Sequence, residues 1–243
     1  MKKLEIVKVG GAVVEDTAAL SVFLDGFCSS QGLKILVHGG GRSATAFAGK
    51  LGLEVKMVEG RRITDASMLE VVTMVYGGLV NKNIVAQLQA RGVDALGLTG
   101  ADLASVRAVK RPAGEIDYGF VGDVTGVAAD SIAKLLEDGI VPVFAPLSFD
   151  GTTLLNTNAD TIAASIASAM AGSYEVSLRY CFEKEGVLDT EGRVIPRINA
   201  AAFARMKSCG TVSGGMIPKI ENALASISEG VNEVYIGSTL ICA

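Results

Sequence analysis

The 243-residue sequence contains one histidine, no tryptophan and only four cysteines. A single histidine, His38, excludes a polyhistidine metal centre, and a conventional Ser-His-Asp site would have to be built around that one residue. The cysteines are far apart and form no CxxC pair, so zinc-ribbon and dithiol redox motifs are excluded. We therefore expect reduced thiols and a cytoplasmic protein.

Basic residues and long apolar runs are also scarce. Lys and Arg number 22 against 26 Asp and Glu, which gives a net charge of −4 at pH 7. This balance excludes an extended nucleic-acid surface. The longest charge-free apolar stretch, residues 161–174, is too short to span a bilayer and is diluted by serines. We expect neither a nucleic-acid partner nor a membrane segment.

Glycine, by contrast, is abundant, with 29 copies that mostly punctuate apolar segments. Many of the predicted strands are continuously apolar, which is typical of a parallel sheet covered on both faces. Strands and helices alternate, so the sequence predicts a three-layer α/β/α sandwich with a mostly parallel central sheet. No polar linker is visible. We therefore expect two lobes, residues 1–150 and 151–243, that share one sheet as a continuous domain.

Glycine-rich turns are predicted at the carboxyl ends of strands, where ligands bind in open α/β sheets. They comprise residues 8–11 (KVGG), 38–41 (HGGG) and 214–219 (GGMIPK). Without side chains, Gly10, Gly11, Gly40 and Gly41 let phosphate or carboxylate oxygens approach the backbone amides. Glycines are also common in turns at strand ends that bind no ligand, and this alternative explains any single one of these turns equally well.

Three charged residues stand out beside these turns. Lys8 interrupts an apolar strand, although lysine is seldom buried without a partner; the alternative is an edge lysine whose ammonium reaches solvent. Lys219 starts a helix predicted over 219–228, where the helix dipole disfavours a cation unless an anion is near. Asp160 lies in the first turn of a helix predicted over 159–171, where capping is the simplest explanation.

The second turn also matches a dinucleotide fingerprint, G-x-G-x-x-A, through Gly39, Gly41 and Ala44. The acidic residue expected about 20 positions further on would be Glu59. The match follows the second predicted strand instead of the first, which disfavours a Rossmann oxidoreductase. Neither the Walker motif nor the protein-kinase motifs occur.

Helices are also predicted over residues 64–75 and 82–91, and Thr64 is the candidate cap of the first. Gly77 and Gly78 lie between them, and glycine weakens a helix interior. The sequence therefore predicts a break at these two glycines.

Five motifs follow one another along the chain in a fixed order. They are KVGG at 8–11, HGGG at 38–41, GRRITD at 60–65, NTNAD at 156–160 and GGMIPK at 214–219. With YGFVGDV at 118–124, this set closely resembles the amino acid kinase family over residues 4 to about 229. The resemblance implies the α/β/α fold of that family, with an N-terminal lobe for the acyl-amino acid and for dimerisation and a C-terminal lobe for ATP.

The resemblance further implies transfer of a phosphoryl group from ATP to the γ-carboxylate of N-acetyl-L-glutamate, the second step of arginine biosynthesis. Such a carboxylate is ionised at neutral pH and needs no general base, so catalysis requires positive charge and alignment. We expect Lys8 and Lys219 to clamp the transferring phosphoryl group. The carboxylate of Asp160 is expected to accept hydrogen bonds from both lysine ammoniums. Gly10 and Gly11 are expected to bind ATP, with the Gly11 amide as a catalytic donor. Mg²⁺ is expected to arrive on the ATP phosphates, without a protein metal site.

Substrate binding is expected from the other motif residues. Arg62 can hold a carboxylate with both prongs of its guanidinium, and Gly40 and Gly41 can bind the remaining polar oxygens. Asn156 can donate to the α-carboxylate or bond the acyl amide. We assign Arg61 a structural role. Three methionines of this half of the chain are expected in the core: Met57, Met68 and Met74.

Some features leave alternatives open. Residues 180–186 depart from the Ser-Asp pair that precedes the glycine in this family, so the adenosine pocket stays unassigned. N-succinyl-L-glutamate differs from the acetyl substrate by one carboxylate, and sister kinases act on glutamate, aspartate, carbamate or UMP. A non-catalytic sensor of the same fold would not need Lys8, Lys219 and Asp160 together. Arginine-inhibited relatives carry an extra N-terminal helix, so we expect a homodimer without arginine feedback here.

Overall fold

The computed structural model describes residues 1–58 and 60–242. Glu59, the acidic residue that a dinucleotide fingerprint would use, lies outside the described residues. The strands are β1 (Lys2–Val9), β2 (Leu33–His38), β3 (Met57–Val58), β4 (Arg61–Arg62), β5 (Ala95–Leu98), β6 (Val106–Lys110), β7 (Gly122–Val127), β8 (Val141–Phe144), β9 (Leu147–Phe149), β10 (Leu154–Asn156), β11 (Tyr174–Cys181), β12 (Arg197–Ile198), β13 (Glu233–Ile236) and β14 (Thr239–Ile241).

The α-helices are α1 (Gly11–Glu15), α2 (Thr17–Ser29), α3 (Gly41–Lys50), α4 (Ala66–Val72), α5 (Asn81–Gln89), α6 (Ala129–Glu137), α7 (Ala159–Met170), α8 (Ala200–Ser208) and α9 (Met216–Ser228). A π-helix (Thr73–Val80) joins α4 to α5, and a short 3₁₀ helix (Asp102–Ala104) follows β5. Within the described ranges, the structure has no helix with the length and apolar character needed to cross a membrane.

The main sheet has eight strands in the order β12-β14-β13-β11-β1-β2-β8-β5. Strand β1 lies in its interior and pairs in parallel with β11 and β2. The pairs β2/β8, β5/β8 and β11/β13 are also parallel, whereas β14 runs antiparallel to β13. The prediction of a mostly parallel central sheet is confirmed, and β1 and β2 end side by side.

Two apolar cores cover the two faces of this sheet. The alternation of side chains along β1 sends Leu4 and Ile6 into a core formed with α6, α7 and α9. Val7 and Val9 point to the opposite core, which is formed with α2 to α5. The predicted three-layer α/β/α sandwich is therefore confirmed. Lys8 follows the same alternation and belongs to the α7 face.

Two smaller sheets lie outside the main sheet. One has the order β10-β9-β6-β7, and the other is the antiparallel pair β3-β4 that carries Arg61 and Arg62. Single parallel bridges join Thr64 to Gly119 and Val121 to Asn156. The second bridge ties the end of β10 to the segment between β6 and β7 and fixes the position of Asn156, and the first ties that segment to the residues after β4.

The helix break predicted at Gly77 and Gly78 is wrong. The chain stays helical from α4 through the π-helix to the end of α5, and both glycines lie inside the π-helix. The cost of a glycine in a helix is only about 1 kcal/mol, and Val75 and Tyr76 of the same segment are buried in the core. Burial of the helix therefore outweighs the local preference.

Two helix starts also differ from the sequence prediction. Asp65, and not Thr64, caps α4, since its carboxylate accepts a hydrogen bond of 2.8 Å from the Met68 amide. Helix α9 begins three residues before Lys219, at Met216. Pro218 thus lies in the first turn, where a missing N–H leaves no helical hydrogen bond unmade.

Candidate active site

The glycine turns after β1 and β2 meet because these strands are neighbours. A Cβ atom on Gly39 would lie 2.9 Å from the amide nitrogen of Gly11, so the close approach requires a glycine. A Cβ on Gly11 would lie 3.6 Å from the amide nitrogen of Gly40 and 3.7 Å from that of Gly41. Gly11 and Gly41 are the first residues of α1 and α3. Backbone amides from two helix starts therefore gather at one point.

The amide of Gly10, in contrast, is engaged within the fold. It donates a hydrogen bond of 2.9 Å to the carbonyl oxygen of Cys181 at the end of β11. A side chain at Gly10 would also approach that carbonyl to 3.4 Å. The Gly10 N–H is thus unavailable to a nucleotide, and Gly10 fixes the turn that presents Gly11.

Lys8, Asp160 and Lys219 form a compact ion triad. The ammonium nitrogen of Lys8 lies 2.8 Å from Oδ1 of Asp160, and the ammonium of Lys219 bonds Oδ2 of the same carboxylate. The side chains of Lys8 and Asp160 are each 12% exposed. Burial by itself raises the pKa of Asp160, but the two ammoniums outweigh it and hold that pKa below its usual range. Two cations sharing one anion leave a net positive charge.

Each member of the ion triad is held by its element. Lys8 lies on an interior strand, so the alternative of an edge lysine is wrong. Asp160 lies in the first turn of α7, where its amide donates to the cap residue Asn158 at 2.7 Å. Lys219 lies near the start of α9 with its ammonium 5.8 Å from the centre of the Tyr180 ring. The carboxylate of Asp160 compensates the unfavourable position of Lys219 relative to the helix dipole.

A cavity of about 430 Å³ opens beside the glycine turns. Its lining includes five residues predicted from the sequence: Gly11, Gly40, Gly41, Arg62 and Asn156. The ion triad is not part of that lining. Asn158 and Ala159, at the start of α7, do line the cavity and are adjacent in sequence to Asp160. The predicted residues are therefore grouped, with the triad next to the cavity.

Arg62 is the buried cation of this cavity, with 7% of its surface exposed. Its Nη2 donates to the carbonyl oxygen of Gly41 and to Oγ1 of Thr45, each at 2.8 Å. Its Nη1 is buried and has no partner among residues 1–58 and 60–242. Both hydrogens of Nη2 are engaged, and each two-pronged mode of a guanidinium uses Nη2, so Arg62 does not present the two prongs predicted. Its Nη1 is the buried donor left for a ligand. A buried donor without an acceptor costs about 1–3 kcal/mol, which a ligand oxygen would relieve.

Asn156 belongs to the same cavity lining and lies at the end of β10. Its Nδ2 donates to Oγ1 of Thr64 at 2.9 Å, and its backbone amide donates to the Phe120 carbonyl at 2.9 Å. The backbone is thus fixed, and the side chain keeps one amide hydrogen and its carbonyl oxygen for other partners.

Sequence reasoning missed several other lining residues: Met57, Arg61, Tyr76, Arg111 and Asp123. The structural role predicted for Arg61 does not fit its place in this lining. Met57 and Met74 are 51% and 50% exposed, so only Met68, at 3%, lies in the core as predicted. The hairpin β3-β4 stands outside the main sheet, and nothing in the local pattern indicates which of its faces borders the cavity.

Arg111, which follows β6, forms an ion pair in the cavity wall with Asp123 of β7. Nε of Arg111 donates to both carboxylate oxygens of Asp123 at 3.1 Å. The hydrogen bond from Arg111 holds the pKa of Asp123 below its usual range. Asp123 belongs to the YGFVGDV motif, and this motif is the sequence feature that could have indicated this part of the cavity wall. In the described part of the chain, no group of three or more His, Cys, Asp or Glu side chains is placed to hold a metal ion.

Comparisons with known proteins show the family of the chain. The model of the amino acid kinase family matches residues 3–238. An acetylglutamate kinase of Bacteroides fragilis is 57% identical over 239 residues, which is 97% of this chain and 92% of the relative. An acetylglutamate kinase of Bacteroides thetaiotaomicron is 58% identical over 239 residues, 97% of this chain and 93% of the relative.

A solved structure agrees with the fold over its whole length. The crystal structure of smu.665 from Streptococcus mutans UA159 superposes with a TM-score of 0.85 at 29% identity, covering 100% of both chains. The layers and strand order described above are therefore those of a known three-dimensional arrangement.

Proposed function

The chain belongs to the amino acid kinase family, and from its site we propose that it transfers the γ-phosphoryl group of ATP to the γ-carboxylate of N-acetyl-L-glutamate. The product is N-acetyl-L-glutamyl 5-phosphate, and the reaction is the second step of arginine biosynthesis. The observation that carries the proposal is the ion triad with its net positive charge, next to a cavity whose buried Arg62 has a free donor. Relatives named acetylglutamate kinase at 57% and 58% identity support the choice of substrate.

The chemistry requires charge and alignment more than proton transfer. The acceptor carboxylate has an ordinary pKa of about 4.3, so it attacks the phosphorus atom in its ionised form. The O–P bond to the acceptor forms as the bond between the γ-phosphorus and the bridging oxygen of ADP breaks. Negative charge accumulates where two anions meet, and fixed cations stabilise it. No residue has to act as a general base.

The ion triad fits the phosphoryl end of this reaction. Lys8 and Lys219 reach the same carboxylate from two elements, β1 and α9, so their ammoniums are held close together. We assign them the equatorial oxygens of the transferring group, with Asp160 as the residue that orients both. The amide of Gly11, first in α1, adds a donor from the side of the glycine turns.

The cavity fits the acyl-amino acid. We assign a carboxylate of N-acetyl-L-glutamate to Nη1 of Arg62, because this buried donor lacks an acceptor. The amides of Gly40 and Gly41 are assigned to the remaining polar oxygens, and Asn156 to the α-carboxylate or the acyl amide. The volume of about 430 Å³ lies within the range of small-molecule sites.

ATP is the phosphoryl donor of the family, and it enters as the complex with Mg²⁺. Asp160 is occupied by two ammoniums and Asp123 by Arg111, so neither acid is a free ligand. We therefore propose that the ATP phosphates hold the Mg²⁺ ion. Bound there, Mg²⁺ neutralises phosphate charge during transfer.

We keep the predicted division of labour between the two lobes as a proposal, with Asn156 as the residue of the second lobe that reaches the acyl-amino acid site. We propose that residues 1–150 bind the acyl-amino acid and mediate dimerisation, and that residues 151–243 bind ATP. The two parts share one sheet, since β11 of the second pairs with β1 of the first. We further propose a cytoplasmic homodimer.

Acyl-phosphate formation tests the proposal. Purified protein is incubated with MgATP and hydroxylamine, which traps an acyl phosphate as a hydroxamate. N-acetyl-L-glutamate, N-succinyl-L-glutamate and L-glutamate are supplied in parallel at equal concentration. We expect hydroxamate with N-acetyl-L-glutamate, dependent on both ATP and Mg²⁺. Turnover of N-succinyl-L-glutamate alone would keep the kinase and overturn the acetyl assignment, and no turnover of any of the three would overturn the proposed function.

A further inference from the structure

The only histidine, His38, has no role in the proposed reaction, yet it is fully buried at the end of β2. Its Nδ1 lies 2.8 Å from the carbonyl oxygen of Gly39. Its Nε2 lies 3.1 Å from Nδ2 of Asn81, the first residue of α5. Both ring nitrogens are therefore engaged inside the protein.

The partners of Asn81 fix the tautomer of His38. Nδ2 of Asn81 also lies 2.9 Å from the carbonyl oxygen of Val143 on β8, and a carbonyl can only accept. Nδ2 thus gives one hydrogen to Val143 and the other to Nε2 of His38. With Nε2 as an acceptor, Nδ1 carries the proton and donates to the Gly39 carbonyl. Burial also lowers the pKa of His38 to about 4, which agrees with a neutral ring.

The bond from His38 fixes the direction of the next amide. The Gly39 carbonyl and the Gly40 N–H belong to one peptide group, and the described chain has no cis peptide bonds. In a trans peptide these two groups point in opposite directions. The Gly39 amide is itself held by the Val9 carbonyl at 3.0 Å. The Gly40 N–H is therefore turned away from His38, and it has no backbone acceptor among the described residues.

Two glycines, Gly40 and Gly97, leave the space that the contacts of His38 and Asn81 require. A Cβ on Gly40 would lie 2.9 Å from Cδ1 of Tyr76, so the Tyr76 ring closes one side of the turn. A Cβ on Gly97 would lie 1.9 Å from Oδ1 of Asn81, so Asn81 reaches His38 only because β5 has a glycine there. Packing from the π-helix and from β5 thus holds the peptide group in place.

We propose that His38 is a positioning residue, which with Asn81 aims the Gly40 amide at an anionic oxygen of the acyl-amino acid. The inference rests on the proposed function, because the substrate of that function supplies the oxygen. His38 neither touches the substrate nor exchanges a proton with it. The histidine acts by holding the Gly39–Gly40 peptide group.

Two polar variants of similar size separate this role from general packing. In His38→Asn the side-chain amide nitrogen takes the place of Nδ1 and can still donate to Gly39. In His38→Gln the amide nitrogen takes the place of Nε2, and the donor to Gly39 is lost. We expect the KM for N-acetyl-L-glutamate to rise about tenfold in His38→Gln and less than threefold in His38→Asn, with the KM for MgATP within twofold of wild type in both. A tenfold change equals about 1.4 kcal/mol, which is the scale of one hydrogen bond.

The amide resonance of Gly40 in ¹⁵N-labelled, substrate-free protein reports the hydrogen bond to the neighbouring carbonyl, and the comparison of the two variants separates this bond from packing. We expect it to shift in His38→Gln and to return towards its wild-type position in His38→Asn. Asn81→Leu, which leaves His38 in place without its donor, should shift the same resonance and raise the KM about threefold. This variant serves as the second test if His38→Gln fails to fold.

Several results would overturn the proposal. They are a wild-type KM in His38→Gln, equal losses in His38→Asn and His38→Gln, a parallel rise in the KM for MgATP, or an unmoved Gly40 resonance. Failure of the proposed function looks different. In that case wild-type protein would not phosphorylate N-acetyl-L-glutamate, whereas the Gly40 resonance would still report the hydrogen bond from His38.

Discussion

The ion triad and the cavity lie side by side but are satisfied in different ways. The ammoniums of Lys8 and Lys219 already share a counter-charge, the carboxylate of Asp160, so each lysine of the triad is paired without a ligand. The cavity is not complete, because Nη1 of Arg62 is buried without an acceptor. Because of this difference, substitutions in the triad and in the cavity should affect different steps of the reaction. Loss of a triad lysine should slow phosphoryl transfer, whereas loss of Arg62 should weaken substrate binding.

The largest effect is expected at the triad lysines. Lys8→Ala and Lys219→Ala each remove a cation from the position where charge develops, and the loss of one such donor costs about 10²–10³ in kcat. The KM for N-acetyl-L-glutamate should change less than threefold, since Arg62 is intact. Steady-state kinetics measure both constants. Lys207→Ala is the matched control, because Lys207 is an exposed lysine paired with Glu221 at 2.7 Å, and it should behave as wild type.

The next effect concerns stability at the centre of the triad. Asp160→Asn leaves two ammoniums close together without their anion, and removal of one partner of a buried ion pair costs about 3 kcal/mol. The free energy of unfolding, measured by urea denaturation at pH 7, should fall by that amount. Lys8→Met should cost less, because Asp160 keeps Lys219. Equal losses in the two variants would mean that Asp160 does not hold the lysines together.

A smaller effect is expected in the cavity. Arg62→Ala removes a charged donor worth about 2 kcal/mol, so the KM for N-acetyl-L-glutamate should rise about 30-fold. The kcat should fall less than fivefold, because the triad is unchanged. Arg62→Lys sharpens the comparison, since it keeps the charge but its single ammonium nitrogen cannot occupy the positions of both Nη1 and Nη2. A kcat loss in Arg62→Ala as large as that of Lys8→Ala would erase the distinction between triad and cavity.

The smallest effect is a pH dependence of stability. The pKa of His38 is about 4 in the folded protein and about 6.5 in the unfolded chain. Its neutral form therefore contributes stability that is fully present above pH 6.5 and is lost as the pH falls towards 4. Between pH 7 and pH 5.5 the loss should be about 1 kcal/mol. The lowered pKa of Asp160 acts in the same direction but only below about pH 4.

Urea denaturation at pH 7 and pH 5.5 measures this dependence. His38→Asn should remove it, because asparagine does not titrate. An equal pH dependence in wild type and His38→Asn would show that other groups cause it.

The sequence predicted the triad and the glycine turns because their positions depend on regular elements. Strands β1 and β2 end in glycines, parallel neighbours end at one edge of the sheet, and Asp160 follows a capping asparagine. Alternation along β1 then determines the face on which Lys8 lies. The resemblance to the amino acid kinase family indicated the roles of these residues. The local sequence pattern indicated their positions on strands, turns and helices.

The cavity wall was harder to predict because it depends on contacts distant in sequence. Arg61 and Met57 stand on a hairpin of two residues per strand, where alternation carries little information. Tyr76 lies in a π-helix at the point where two glycines predicted a break. The engagement of Nη2 of Arg62 by Gly41 and Thr45 arises only when α3 and β4 come together. No single segment contains these signals.

The most direct test of the central claim compares binding with turnover in two variants. N-acetyl-L-glutamate is titrated calorimetrically into wild type, Lys8→Ala and Arg62→Ala, and acyl-phosphate formation is measured on the same samples at saturating substrate. The account predicts a wild-type Kd with severely reduced turnover in Lys8→Ala, and a raised Kd with turnover near wild type in Arg62→Ala. Parallel losses of binding and turnover in both variants would contradict it.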